Sequence, residues 1–217
     1  MTISKIYLAI DQNGANYSAG SDLDFEVFFV SEYVSKDLCK NKFKYKEANK
    51  LITYIESTNQ GVEYDKLFKT LDYKSTLSYL NISQLEGRER TEKILCLIEA
   101  AGSAYDNFIP GIRQAMLDSI DRFRNGGYKN VWLFKRKRID LVRQVELICE
   151  LDREMFTLTL VVKNKNTEIY RRDILKTKPS SVIYHHKFKD ILVDENNIVI
   201  IDRFGKPIYQ VSISDVN

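Results

Sequence analysis

Two hydrophobic periods divide the chain. From Ser83 to Gly127, apolar positions recur at three- and four-residue spacing. Ile94, Leu95, Leu97, Ile98, Ala101, Ala104, Tyr105 and Phe108 come first, then Ile112, Ala115, Met116, Ile120 and Phe123. That spacing is the stripe of an amphipathic helix. Ser83-Gln84-Leu85-Glu86 fits a capping box at its start, and Pro110, which cannot donate a backbone hydrogen bond, kinks it or opens a second helix. Asn125-Gly126-Gly127 supplies the left-handed stop that glycine adopts at low cost. Such a stripe has to be covered by another layer.

After Gly127 the period becomes two. Val145 to Leu151 alternates, as does Phe156 to Leu160, with Asp152-Arg153 as the turn between them. This is the pattern of an antiparallel pair with one solvated face. Further strands are expected at residues 131–135, 167–175, 182–186, 188–193, 198–202 and 207–213, and Ile198-Val199-Ile200-Ile201, which has no alternation, reads as a central strand covered on both faces. Near the N-terminus, Lys5–Ile10 and Phe25–Val30 read as two strands of a hairpin joined by the polar segment Asp11 to Asp24. A helix is expected over Tyr45–Glu56, with Ala48, Leu51, Ile52 and Ile55 on one face, and a shorter one through Tyr64, Leu67, Phe68 and Leu71. The fold class expected is α+β. An antiparallel sheet, mainly from the C-terminal half with the N-terminal hairpin, would pack against a helical block at residues 45–125. A single domain over residues 1–217 is the simplest organisation, with 1–127 and 128–217 as its natural subdivision.

Composition narrows the class. The chain has 217 residues, 44% hydrophobic and 29% charged, enough for a sizeable core and unlike a disordered segment. No apolar run approaches the roughly 18 residues that a bilayer crossing needs. No secretory signal is readable at Met1 to Lys5 either. Cys39, Cys96 and Cys149 are odd in number and far apart, and the last two fall on expected apolar faces, as buried thiols of a reducing compartment do. A cytoplasmic protein, without a membrane partner, is the expectation. The net charge of +3 is uneven, −2 over residues 1–125 and +5 over the remainder, which is compatible with an anionic partner for the C-terminal part.

Three groups of side chains could carry chemistry. In the expected hairpin, Asp11 leaves the first strand while Asp22 and Asp24 enter the second, so the three carboxylates would crowd one rim, as hard cations such as Mg²⁺ require. Ser21-Asp22-Leu23-Asp24-Phe25-Glu26-Val27 resembles the metal-binding strand of the polymerase-β-like nucleotidyltransferases. That resemblance implies Mg²⁺-dependent transfer with Asp22 and Asp24 holding the metal. It covers about seven residues; that family carries a Gly-Ser opening a helix further upstream, whereas Gly14-Ala15 here precedes the aspartates too closely for a helix, and Asp140 is the nearest to a third carboxylate. A calcium loop starting at Asp11 is excluded, since its required glycine falls on Asn16. The plain reading of the three aspartates is a polar loop with turn-forming side chains.

His185-His186, on an expected strand, would point to opposite faces, one packed and one exposed, and could not share a metal. Lys135-Arg136-Lys137-Arg138, interleaved upstream with Trp132 and Phe134, could hold phosphates and stack bases, although a solvated turn between strands accounts for it as well. Thirteen tyrosines are present, a residue favoured at interfaces.

No catalytic motif is readable, and the leading expectation is a non-enzymatic intracellular module that binds another protein, for example an inhibitor or immunity-type protein masking a toxin or enzyme, with no cofactor. The alternatives are a metal-dependent nucleotidyltransferase using Asp22 and Asp24, and a nucleic-acid binder using residues 135–138.

Overall fold

The computed structural model describes residues 1–10, 22–55 and 57–216, with the side chains of Ile10, Asp22 and Val182 left aside. It is an α+β protein whose chain divides into two compact units, Met1–Tyr128 and Lys129–Asn217. No helix among the described residues is long and apolar enough to cross a membrane.

The first unit is built on β1 (Lys5–Ile10), β2 (Lys50–Ile55), β3 (Gly61–Asp65) and β4 (Thr70–Lys74), ordered β1-β2-β4-β3. Strand β2 runs parallel to both β1 and β4, and β3 is antiparallel to β4. Helix α1 (Asp22–Cys39) connects β1 to β2, the long crossover that parallel neighbours require. The short α2 (Tyr79–Ser83) precedes α3 (Gly87–Tyr105) and α4 (Ile112–Asn125). Leu51, Thr53 and Ile55 of β2, with Leu71 and Tyr73 of β4, are buried on the helix side of the sheet. Phe123 of α4 meets Phe29 of α1 edge-on at 5.3 Å and Tyr33 at 4.6 Å. The Asp37–Arg122 and Glu92–Arg124 pairs tie the helices at their rims.

Several sequence expectations fail here for one reason, competition between the two periods. Phe25–Val30 is helical rather than a strand, so no N-terminal hairpin forms. Leu23, Val27, Val30, Val34 and Leu38 are the buried stripe, and the apolar residues among them made a short window look strand-like. Residues 50–55 are β2 rather than a helix, and their inward set is Leu51, Thr53 and Ile55, a period of two that Ile52 disguised. The short helix expected through Tyr64 and Leu71 is the β3–β4 hairpin. The capping box is also absent: Ser83 ends α2 and donates to the Leu80 carbonyl, while α3 is preceded by Glu86 with no side-chain cap. Cys96 is exposed, lying about 100° beyond the edge of the α3 arc that holds Ile94, Leu95, Ile98 and Ala101. The C-terminal stop does form, with Gly127 at φ +70°.

The second unit is a meander, β5 (Asn130–Arg138), β6 (Arg143–Leu151), β7 (Phe156–Asn164) and β8 (Thr167–Thr177), in that order. Helix α5 (Ser181–Tyr184) then leads to a three-stranded antiparallel sheet of β9 (Asp190–Val193), β10 (Asn197–Ile201) and β11 (Pro207–Ser212), ordered β11-β10-β9. The expected strand 182–186 is therefore a helical turn. Strand β10 is central, as expected, but it alternates, with Ile198 and Ile200 buried. Phe156 stacks on Tyr184 at 3.9 Å, with Phe188 at 5.5 Å on Phe156. Four hairpin turns in this unit use the same device. The carboxylates of Asp140, Asp152, Asp194 and Asp202 each accept two backbone N–H groups of the turn that follows.

Candidate functional site

Alternation along β4 sends Leu71 and Tyr73 towards the helices and Asp72 and Lys74 to the opposite face. Register then places Glu63 of β3 beside Asp72, Asp65 beside Thr70, and Tyr54 of β2 beside Lys74. Tyr54, Glu63, Asp65, Asp72 and Lys74, with Tyr64, Lys66 and Leu67, line an open pocket of about 580 Å³ on the outer sheet face.

Each polar group at the pocket is held differently. Glu63 accepts a hydrogen bond from the Lys74 ammonium at 2.6 Å. Asp65 Oδ1 accepts the backbone N–H groups of Leu67 and Phe68 at 2.8 and 3.0 Å, which shapes the β3–β4 turn. Asp72 is 8% exposed, and its Oδ1 is buried with no hydrogen-bond partner. Burial pushes the Asp72 carboxyl above the usual range; the Thr70 hydroxyl and Lys74 pull it back, and the negative charges of Asp65 and Glu63 add to the rise. At the tip of that turn, Leu67 and Phe68 stand 81% and 65% exposed, so a carboxylate floor adjoins an apolar tip. The arrangement can attract a cation, offer it an unpaired acceptor, and cover an apolar neighbour.

The carboxylates singled out from sequence are not here. Asp11 lies outside the described residues, as does the Asp22 side chain, and Asp24 sits in the first turn of α1. The nucleotidyltransferase resemblance requires those aspartates on a strand, and that strand is a helix. Among the described residues no group of three or more His, Cys, Asp or Glu side chains is placed to hold a metal ion.

The basic run lies within β5 rather than in a turn. A bulge between Leu133 and Lys135 turns Lys135 and Lys137 to the face that Trp132 occupies, opposite Leu147 and Val145. Lys135 pairs with Asp190 at 2.9 Å, Arg136 with the buried Glu146 at 2.7 Å, and Lys137 donates to the Ile191 carbonyl at 3.1 Å. Three of the four cations thus serve contacts within the unit. His185 caps α5, His186 follows it, and both are exposed, so the expected packed member of the pair is not found.

Sequence reasoning missed Glu63, Asp65 and Asp72 because it read their segment as helical. The readable signal was Asp65 followed by Lys66-Leu67-Phe68-Lys69, the same aspartate-led turn as in the second unit. No protein-family model, curated protein or solved structure matches the chain.

Proposed function

We propose that this protein is a binding module for another protein, acting by occupancy rather than by catalysis. The observation that carries this reading is the β3–β4 tip, where Leu67 and Phe68 are held out in solvent at the rim of a charged pocket. Large exposed apolar side chains beside fixed charge are the makings of an interface centre with a polar rim. Within binding modules we place it with inhibitors and immunity-type proteins. An acidic pocket flanked by an apolar tip is suited to covering a basic surface, of the kind by which an enzyme holds an anionic substrate.

The nucleic-acid reading is less well supported, since Lys135, Arg136 and Lys137 are engaged inside the second unit.

The test is a defined complex. A partner captured on the immobilised protein, then purified and remixed, is expected to form a stoichiometric complex in analytical ultracentrifugation. The double substitution Leu67→Asp/Phe68→Asp touches no core residue and is expected to weaken Kd by about 30-fold or more, as removal of an interface anchor does. Equal binding by the double variant, or no stoichiometric partner at all, would refute the reading.

A further inference from the structure

The geometry points to an arginine-binding pocket: the floor formed by Asp72, Glu63 and Asp65 receives the guanidinium of an arginine side chain presented by the partner. The inference rests on the protein-binding reading for the source of that arginine, not for the existence of the site.

The starting point is the unpaired oxygen. Asp72 is more than nine-tenths buried, lines the pocket, and has a buried Oδ1 that no donor reaches. Buried polar atoms are ordinarily paired, and leaving one unpaired is costly. An N–H group entering the pocket that Asp72 lines would supply the missing bond once the carboxyl turns to meet it, because Oδ1 is itself closed to solvent.

Charge narrows the guest. Three carboxylates face the pocket against two lysines, and Lys74 is engaged with Glu63. Lys66 remains on the rim, exposed. A neutral donor would satisfy Asp72 but draw nothing from Asp65, whose Oδ1 alone is committed, to the turn amides.

Shape narrows it further. A volume of about 580 Å³ is far larger than a bare ion needs, and the described residues form no metal-binding group. Tyr54, Tyr64 and Leu67 provide apolar walls along which the stem of a long side chain can lie. A planar guanidinium has five donors in a fixed fork, enough for Asp72 and a neighbouring carboxylate together, and it packs well on tyrosine rings.

The experiment is a two-dimensional ¹H–¹⁵N NMR titration of the intact protein with Nα-acetyl-arginine amide, with Nα-acetyl-citrulline amide as the neutral isostere. Saturable shifts are expected at the amides of Glu63, Asp65 and Asp72 with the arginine compound and not with the citrulline compound. Asp72→Asn is expected to weaken that binding about tenfold or more, in keeping with loss of a charged hydrogen-bond partner, and its spectrum shows directly whether the variant is folded. Glu63→Gln is the second variant, with a smaller loss expected. Absence of saturation, equal shifts from citrulline, or unchanged affinity in folded Asp72→Asn would overturn the proposal. The two readings fail separately. A partner that is lost with Leu67→Asp/Phe68→Asp but indifferent to Asp72→Asn would remove the arginine pocket and leave the binding module. Saturable arginine binding without any protein complex would do the reverse.

Discussion

Tyr105→Phe is the sharpest test of how the mixed sheet is held. Tyr105 is fully buried at the end of α3, and its hydroxyl enters the β2–β4 pair. It donates to the Ile52 carbonyl at 2.6 Å and accepts the Tyr73 amide at 3.1 Å. Burial pushes the phenol far above its ordinary range, so it stays protonated and keeps both bonds. Phenylalanine retains the ring packing, including the edge contact with Tyr73 at 6.4 Å, and removes the bridge together with a longer 3.5 Å contact to the Thr53 hydroxyl. Two backbone groups then lose a partner. An orphaned buried group costs about 1–3 kcal/mol. Ile52 and Tyr73 lie within one residue of direct register, so the strands can close partly and recover some of this. The net loss expected is about 2 kcal/mol. At about 2.1 cal/mol/K per residue, a unit ending at Tyr128 would melt about 7 °C lower. Circular dichroism of the helical signal reads this unit, because α1, α3 and α4 all belong to it. Trp132, the single tryptophan, reads the other by fluorescence. A helical transition that moves by less than about 1 °C in Tyr105→Phe would refute the bridging role, since even one orphaned group should exceed that.

Two pH dependences of opposite sign follow from the buried carboxyls. Asp72 holds its proton more tightly folded than unfolded; the native chain should therefore lose stability relative to Asp72→Asn as pH rises from about 4 through the raised folded value. Urea midpoints of both proteins over that range would show it, and a constant difference would contradict it. Glu146 behaves in reverse: burial raises its pKa, but hydrogen bonds from Lys163 and Arg136 outweigh this and hold it low. Its contribution is present above an unfolded pKa of about 4.3 and is lost as pH falls through the depressed folded value. Glu146→Gln should cost about 1–3 kcal/mol near neutrality, discounted because Arg136 and Lys163 can turn to water. It should also flatten the acid limb of the Trp132 fluorescence transition; an unaltered limb would place the acid sensitivity elsewhere.

Much of the second unit was legible. Val145 to Leu151 and Phe156 to Leu160 alternate because one face is buried and the other meets polar groups; the first strand begins two residues earlier than expected, at Arg143, and the second runs four residues further, to Asn164. Helices α3 and α4 were legible for the equivalent reason at a period of 3.6. The first unit was less so. Helix α1 touches both β1 and the other helices, and burial on more than one side widens its stripe until a six-residue window no longer distinguishes helix from strand. Strand β2 failed in the opposite sense, because Thr53 faces the core while Ile52 faces away. The candidate site fell within this misread segment, and none of its three carboxylates was singled out beforehand.

Local chemistry therefore determined what could be decided over a few residues: the aspartate-led turns, the two-residue alternation, the glycine stop after Asn125 and the α+β class. Pairing was decided only by tertiary structure. Strand β1 lies against β2 across a helix instead of folding back on Phe25–Val30, and β4 lies between β2 and β3. That order brings Glu63 next to Asp72 and buries an oxygen without a partner, whereas Asp22-Leu23-Asp24, conspicuous in sequence, opens a helix. Proximity in the chain is set by covalent bonds, but proximity across a sheet depends on which buried faces fit, and six-residue patterns carry little of that information.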